Sequence, residues 1–215
     1  MEVTTAITSL RGSNDLPVFV LLHGWGSNEH DLPDLLHYCA RGADYASLRA
    51  PIAYGMGYTW FDEWVHEGVP EGESLDRQAL RAAEAIDRWV AANIPDTRKV
   101  VPMGFSQGGL LAAHMLRVNP TRYMAAVSFS GWLAPGALAD DAALAESKPP
   151  VFYGHGSADT IFSPAEVSAM SDFWNTHGTL TERIYPGMEH SINMDEMRDV
   201  AAFLERTGAV RPTIW

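Results

Sequence analysis

Residues 100–109, VVPMGFSQGG, decide the fold. The first four are an apolar run typical of a buried strand, and helical periodicity follows over 107–118. Between them, Gly104 to Gly108 fits the pattern G-x-S-x-G, in which a serine occupies a sharp turn from a strand into a helix. A Cβ at Gly104 or Gly108 would crowd that turn. The pattern alone is weak, so the strand before it and the helix after it carry the interpretation.

Strand-like and helix-like segments alternate along the rest of the chain. Strands are predicted at 18–22, 45–48, 100–103, 125–129, 151–153 and 181–185, and helices at about 30–41, 74–93, 107–118, 164–177 and 194–206. The stretches 51–72 and 131–150 have no clear period and are predicted to be loops. This alternation predicts an α/β protein with a mostly parallel central sheet and helices on both faces. The length fits one domain over residues 1–215.

Charge and composition exclude several classes of function. The net charge of −12 argues against a nucleic-acid partner and against adsorption to anionic membranes. No window approaches 18 consecutive apolar residues, so stable membrane insertion is not expected. The acidic start, without a basic and apolar leader, favours a cytoplasmic protein. The single cysteine, Cys39, excludes an internal disulfide and is predicted to be a buried, inert thiol.

A serine nucleophile needs a base, and the order expected along such a chain is serine, acid, histidine. His190 lies between the last predicted strand and the last predicted helix, at the required edge of the sheet. The other downstream histidines fit less well. His114 lies inside a helix, His155 precedes the acid of its own loop, and His177 ends a helix. We therefore predict His190 as the base for Ser106.

Asp159 is the predicted orienting acid. It lies in the loop after the strand at 151–153, between the serine and the histidine in the chain. Asp140 and Asp141 are in an alanine-rich helical stretch, and Asp172 is in the middle of a helix. Asp159 could instead be an ordinary turn residue. The three assignments support one another because each falls on the same edge of the sheet.

Backbone N–H groups are expected to stabilise an oxyanion next to the serine. One donor is the N–H of the residue after the nucleophile, Gln107. A second is expected from the loop that follows an early strand, here residues 23–26. A plain strand-ending turn is the alternative interpretation of that loop.

These motifs resemble the phospholipase/carboxylesterase family of small α/β-hydrolases, which includes acyl-protein thioesterases and small bacterial carboxylesterases. In order and spacing the match covers nearly the whole chain. The motifs that carry it are LLHGWG (21–26), GFSQGG (104–109), HGSAD (155–159) and GMEH (187–190).

The resemblance implies an α/β-hydrolase fold without a large lid domain. It implies cleavage of small carboxylic esters through an acyl-enzyme on Ser106, with no cofactor and no metal. An acyl-thioesterase or a lysophospholipase using the same three residues is the alternative. It also implies that the Trp25 and Gln107 backbone N–H groups form the oxyanion hole.

An aromatic segment supplies a candidate substrate pocket. Tyr58, Trp60, Phe61 and Trp64 could wall an apolar pocket near Ser106, although such clusters are more often core or scaffold.

Three further functions are weighed against this prediction. A binding protein with an inactive hydrolase fold conflicts with the complete set of three residues. A peptidase would need a substrate-recognition region that the short chain does not show. A metal hydrolase is disfavoured because the eight histidines are scattered and no H-E-x-x-H motif occurs. A monomer and a homodimer both fit the sequence.

Overall fold

The computed structural model describes residues 1–11, 15–62 and 71–212, and in it strands and helices alternate over the second half of the chain. The strands are β1 (Ala6–Ser9), β2 (Val18–Leu22), β3 (Asp44–Leu48), β4 (Ile52–Tyr54), β5 (Gly57–Thr59), β6 (Val100–Phe105), β7 (Ala126–Phe129), β8 (Pro150–Gly156) and β9 (Thr179–Tyr185). The helices are α1 (Pro33–Cys39), α2 (Gly72–Asn93), α3 (Gln107–Val118), α4 (Asp141–Ser147), α5 (Pro164–His177) and α6 (Met194–Thr207). Within these ranges no helix combines the length and apolarity that crossing a bilayer requires.

The main sheet has the strand order β1-β3-β2-β6-β7-β8-β9. Strand β1 runs antiparallel to β3, and the neighbouring pairs from β3 to β9 are all parallel. The predicted mostly parallel sheet is confirmed. Because the parallel strands share a direction, the loops after β2, β6, β8 and β9 meet along one edge of the sheet.

Strand β2 shows why the sheet needs helices on both faces. All five of its residues are buried, and successive side chains point to opposite faces. Val18, Val20 and Leu22 pack into one core cluster, which also receives side chains of α2, α3, α4 and α5. Phe19 and Leu21 pack into a second cluster with side chains of α1 and α6. The alternation divides one apolar run between two hydrophobic layers.

The loop predicted over residues 51–72 is wrong in its first part. Strands β4 and β5 pair there as an antiparallel hairpin, with Ile52 opposite Thr59 and Tyr54 opposite Gly57. Gly55 lies at the hairpin turn with a φ of 57°, a conformation that glycine adopts without steric cost. The periodicity rules missed it because three-residue strands are too short to show alternation.

Two more elements depart from the prediction. Strand β1 was not predicted, and its partly exposed residues form the antiparallel edge of the sheet. Helix α4 lies within the predicted loop at 131–150, at the alanine-rich stretch already described as helical, and buries Leu144. Both elements are short, and short elements depend on tertiary packing more than on local sequence pattern.

Cys39 is 5% exposed at the end of α1, and its thiol donates to the Leu36 carbonyl at 3.6 Å. Burial raises the pKa of this thiol to about 12. The predicted buried position is confirmed.

Candidate active site

Ser106 occupies a strained turn between β6 and α3. Its φ of 54° and ψ of −118° lie outside the regions that non-glycine residues favour. A Cβ at Gly104 would lie 2.1 Å from the Gly108 carbonyl oxygen, and one at Gly108 would lie 1.8 Å from the Leu22 carbonyl oxygen. Neither position has room for a side chain, so these two glycines are a steric requirement of the turn.

The Ser106 turn is held by a hydrogen bond to β7 and forms the start of α3. The Ser106 N–H donates to the Phe129 carbonyl at 2.9 Å, which ties the turn to the end of β7. Ser106 is 6% exposed and stands at the N-terminus of α3, where helix N–H groups favour negative charge. The N-terminal N–H groups of α3 would therefore stabilise negative charge that develops near the Ser106 hydroxyl during a reaction.

His190 and Asp159 form a direct pair. The His190 Nδ1 atom is 2.7 Å from the Asp159 Oδ2 atom, and Asp159 Oδ1 accepts a hydrogen bond from the Ile161 N–H at 2.9 Å. The Asp159 side chain is 6% exposed and that of His190 21%. An Nδ1–H facing the carboxylate leaves Nε2 as the nitrogen that can accept a proton.

The structure brings His190 to the strand end that carries the serine. The ring of Phe105, the residue before Ser106, lies 4.8 Å from the imidazole between ring centres. Phe162 contacts the same imidazole edge-on at 5.6 Å. The three predicted residues thus follow β6, β8 and β9 at one edge of the sheet, and their catalytic roles stay predictions.

The other downstream histidines occupy different surroundings. His114 is buried in α3, and burial lowers its pKa to about 3. The Nε2 atom of His155 lies 3.7 Å from a Glu182 carboxylate oxygen. His177 ends α5, with Nδ1 3.0 Å from a carbonyl oxygen one turn earlier. None of these contacts reaches the Ser106 turn.

The two predicted oxyanion donors belong to adjacent elements. The loop over 23–26 leaves β2, which pairs directly with β6, and a Cβ added to Gly24 would lie 3.5 Å from the Ser106 Cβ. Trp25 is 40% exposed, and its ring packs on Tyr54 at 4.6 Å between ring centres. Gln107 is the first residue of α3, where a backbone N–H has no intrahelical acceptor.

Sequence reasoning gave the His23 ring no role, yet the ring is buried beside the oxyanion loop. Its Nε2 atom accepts from the Ala50 N–H at 3.1 Å, and its Nδ1 atom lies 2.7 Å from the Gly24 carbonyl oxygen. Burial lowers the pKa of His23, which favours the neutral ring that this acceptor role requires. The sequence signal that could have indicated this role is a histidine placed directly between an apolar strand and a glycine.

The residues of the predicted substrate pocket lie in several environments. Tyr58 is partly buried beneath the Arg49 guanidinium, 4.6 Å from its ring centre. Trp60 and Phe61 are fully buried, so a ligand could reach them only after side chains move. Trp64 lies outside the described residues. The pocket role of these residues stays a prediction.

Glu196 is a buried carboxyl group that the sequence did not single out. It lies in the first turn of α6, just after the His190 loop, and its side chain packs against Gly154. Neither carboxyl oxygen has a hydrogen-bond partner among the described residues. Burial raises the pKa of this carboxyl to about 8, and the nearby charge of Asp199 adds to the rise.

We expect Glu196→Gln to remove a pH dependence of stability. The folded-state pKa is raised from 4.5 to about 8, so the folded state holds a proton that the unfolded state releases. The stability this proton contributes is complete below about pH 4.5 and is lost as the pH rises through 8. The glutamine stays neutral at every pH. The free energy of unfolding of Glu196→Gln, relative to that of the wild type, should therefore rise by at most about 1.4 kcal/mol per pH unit across that window.

Urea unfolding at pH 5, 6.5 and 8 measures that difference, with Glu146→Gln on the exposed surface of α4 as the matched control. A stability difference between Glu196→Gln and wild type that stays constant from pH 5 to 8 would contradict a protonated Glu196.

Metal ligation has no candidate in the described ranges: nowhere in 1–11, 15–62 and 71–212 do three His, Cys, Asp or Glu side chains form a group suited to an ion. The arrangement at the sheet edge is suited to acyl transfer, in which a hydroxyl attacks, an imidazole moves the proton and backbone N–H groups bind the oxyanion.

Comparison with known proteins finds relatives in sequence that are named as a carboxylesterase and an acyl-protein thioesterase. A probable carboxylesterase from Oryza sativa subsp. japonica is 31% identical over 155 residues, which cover 68% of this chain. This chain spans 57% of the length of that rice protein. Acyl-protein thioesterase 1 from Mycosarcoma maydis is 26% identical, with 94% of this chain and 96% of the relative covered.

Solved structures and a family comparison complete the assignment. The Bacillus cereus carboxylesterase has a similar fold, with a TM-score of 0.77, 22% identity, and coverage of 94% of this chain and 93% of that one. The family model described as Phospholipase/Carboxylesterase matches residues 6–207. The resemblance drawn from the motifs is confirmed, and the chain belongs to the phospholipase/carboxylesterase family of α/β-hydrolases.

Proposed function

We propose that this protein is a serine carboxylesterase that cleaves small carboxylic esters through an acyl-enzyme on Ser106. The observation that carries the proposal is the 2.7 Å pair of His190 and Asp159 at the sheet edge that holds the Ser106 turn. The names of the relatives, which include carboxylesterases, support the same reaction class.

Acylation begins when His190 Nε2 takes the Ser106 hydroxyl proton and Oγ attacks the ester carbonyl carbon. The carbonyl oxygen becomes an oxyanion and accepts hydrogen bonds from the Trp25 and Gln107 backbone N–H groups. Asp159 holds the imidazole in the required tautomer and stabilises it while it is positively charged. The tetrahedral intermediate then collapses, and the alcohol leaves with the proton from His190.

Deacylation repeats these steps with water in place of the serine. His190 takes a proton from water, the hydroxide attacks the acyl carbon, and the same two N–H groups bind the oxyanion. Collapse of the second intermediate releases the carboxylic acid and returns the proton to Ser106. The cycle needs no cofactor.

A partly apolar cavity that connects to the site through Phe162 is the proposed place for one half of the ester. Its volume is about 590 Å³, and its apolar lining includes Leu75, Trp132 and Leu133. Trp132 stacks on Phe162 at 4.5 Å, and Phe162 contacts His190. These ring contacts connect the cavity to the imidazole, and an acyl or alcohol group of short to medium length is proposed to lie in it.

An acyl-thioesterase is the second candidate, and one observation favours it. The Mycosarcoma maydis relative, named an acyl-protein thioesterase, matches along 96% of its own length. The proposed residues act on the carbonyl carbon and do not distinguish an alcohol from a thiol leaving group. A lysophospholipase would use the same chemistry.

Covalent labelling tests the reaction class. A fluorophosphonate probe should label the wild-type protein on Ser106, and mass spectrometry of the digested adduct should locate the label there. Ser106→Ala should take up no label because the probe reacts only with an activated hydroxyl. Ser147→Ala, on the exposed surface of α4, is the matched control and should label like the wild type.

Equal labelling of wild type and Ser106→Ala would reject the proposal. Turnover of a matched series of p-nitrophenyl esters and acyl-thioesters then ranks the candidates. Faster hydrolysis of the esters favours the carboxylesterase, and faster hydrolysis of the thioesters favours the second candidate.

A further inference from the structure

One short segment, residues 58–61, contacts both halves of the proposed oxyanion hole; we call it the clasp. It consists of the last two residues of β5 and the two residues after that strand, and three of its residues, Thr59, Trp60 and Phe61, are fully buried. Buried hydrogen bonds are well defined because no water competes for their donors and acceptors.

On one side the clasp binds the side chain of Gln107. The Gln107 Oε1 atom accepts from the Trp60 backbone N–H at 3.1 Å and from the Thr59 hydroxyl at 3.1 Å. The Trp60 N–H can only donate, so the oxygen end of the amide must face the clasp. These bonds fix the side chain of the residue whose backbone N–H is the first proposed oxyanion donor.

On the other side the clasp binds the loop that carries Trp25. The Trp60 indole Nε1–H donates to the His23 carbonyl at 3.0 Å. The Gly26 N–H donates to the Tyr58 carbonyl at 2.9 Å, so the clasp is bonded to the loop both before and after Trp25. A Cβ at Gly57, next to the clasp, would lie 1.9 Å from the Gly26 carbonyl oxygen. The two backbones are therefore in close contact.

The geometry points to Trp60 as the positioning residue of the oxyanion hole. Its backbone N–H binds the Gln107 side chain and its indole N–H binds the His23 carbonyl, so one buried residue sets the spacing of the two donors. The inference rests on the proposed function, because it takes the Trp25 and Gln107 N–H groups as the donors. In this inference the fully buried Trp60 acts through Gln107 and the loop at 23–26, without contacting the reacting atoms.

Trp60→Phe removes the indole donor and keeps the backbone N–H and most of the packing. We expect kcat for a p-nitrophenyl ester to fall roughly tenfold to a hundredfold, because misplacing one oxyanion donor weakens binding of the transition state. The KM should change little. The matched control is Trp174→Phe, since Trp174 is also fully buried and its indole N–H has no hydrogen-bond partner in the described part of the chain.

A trifluoromethyl ketone inhibitor gives a readout that a general loss of stability would not change. The Ser106 oxygen adds to its carbonyl carbon, His190 takes the hydroxyl proton, and the carbonyl oxygen becomes an oxyanion in the proposed hole. The inhibition constant should rise in Trp60→Phe by the same factor as kcat/KM falls. It should stay at the wild-type value in Trp174→Phe.

A second replacement keeps the test valid if Trp60→Phe folds poorly. Placing β-(3-benzothienyl)alanine at position 60 by amber suppression exchanges the indole N–H for sulfur and preserves the ring shape. It should reproduce the rise in inhibition constant. Wild-type kcat and inhibition with this replacement, or an equal loss in Trp174→Phe, would overturn the role of Trp60.

The two proposals fail in different ways. If the proposed function is wrong, the wild type itself takes up no fluorophosphonate on Ser106 and resists the ketone, and the Trp60 inference falls with it. If only the inference is wrong, the wild type labels and is inhibited, and the position 60 variants behave like it.

Discussion

Asp159→Asn should lower kcat by about 10⁴-fold while leaving the fold intact. The asparagine carbonyl can still accept from the Ile161 N–H, which now donates to Asp159 Oδ1 at 2.9 Å. Its NH₂ group would then face His190 Nδ1, where the carboxylate now lies at 2.7 Å. Since two donors cannot face each other, the imidazole would hold its proton on Nε2 and could not accept one from Ser106.

Burst and steady-state kinetics with a p-nitrophenyl ester measure this loss. Asp172→Asn, at an exposed position of α5, is the matched control and should keep wild-type kcat. Thermal unfolding should show both variants within a few degrees of the wild type. A kcat reduction of less than about tenfold in Asp159→Asn would mean that another group orients His190.

Gly108→Ala should destabilise the folded protein by more than about 4 kcal/mol, or prevent folding. The added methyl group would lie 1.8 Å from the Leu22 carbonyl oxygen and 2.8 Å from that of His23. Both obstacles are backbone at the end of β2, so no side chain can rotate away. Alanine is the better helix former, and propensity alone would predict a small gain.

Gly208→Ala is the matched control, because it introduces the cost of a positive φ without a steric clash. Gly208 has a φ of 75° and no atom within 4 Å of an added Cβ, so alanine there costs only about 1–2 kcal/mol for the left-handed conformation. Urea unfolding of both variants gives the comparison. Equal destabilisation would show that the α3 and β2 backbones can separate, and any folded Gly108→Ala protein should have a displaced Ser106 and little activity.

The candidate site could be placed from sequence because each of its parts follows a recognisable strand. Ser106 and Asp159 come after apolar runs and His190 after a mixed run rich in β-forming residues, and the carboxyl ends of parallel strands must meet at one edge. The contacts of the Gln107 side chain could not be predicted, since Thr59 and Trp60 reach it from 48 and 47 residues away. Nothing local to Gln107 signals those partners.

The fold shows the same division between strong and weak local signals. Strand β2 was predicted with its exact bounds because five consecutive apolar residues must be buried on both faces. The β4–β5 hairpin was missed because its three-residue strands carry no periodic signal. Its position depends instead on hydrogen bonds to the loop at 26–27, which exist only after the chain has folded.

The burial of Cys39 has a practical consequence for the choice between ester and thioester substrates. Thioester turnover is followed most directly by trapping the released thiol with a chromogenic disulfide reagent, and a reactive enzyme thiol would consume that reagent. Cys39 is the chain's only cysteine, is 5% exposed and has a pKa raised to about 12, so almost none of it is thiolate at neutral pH. Colour development would therefore report product alone, and native enzyme can be assayed without blocking its own sulfur.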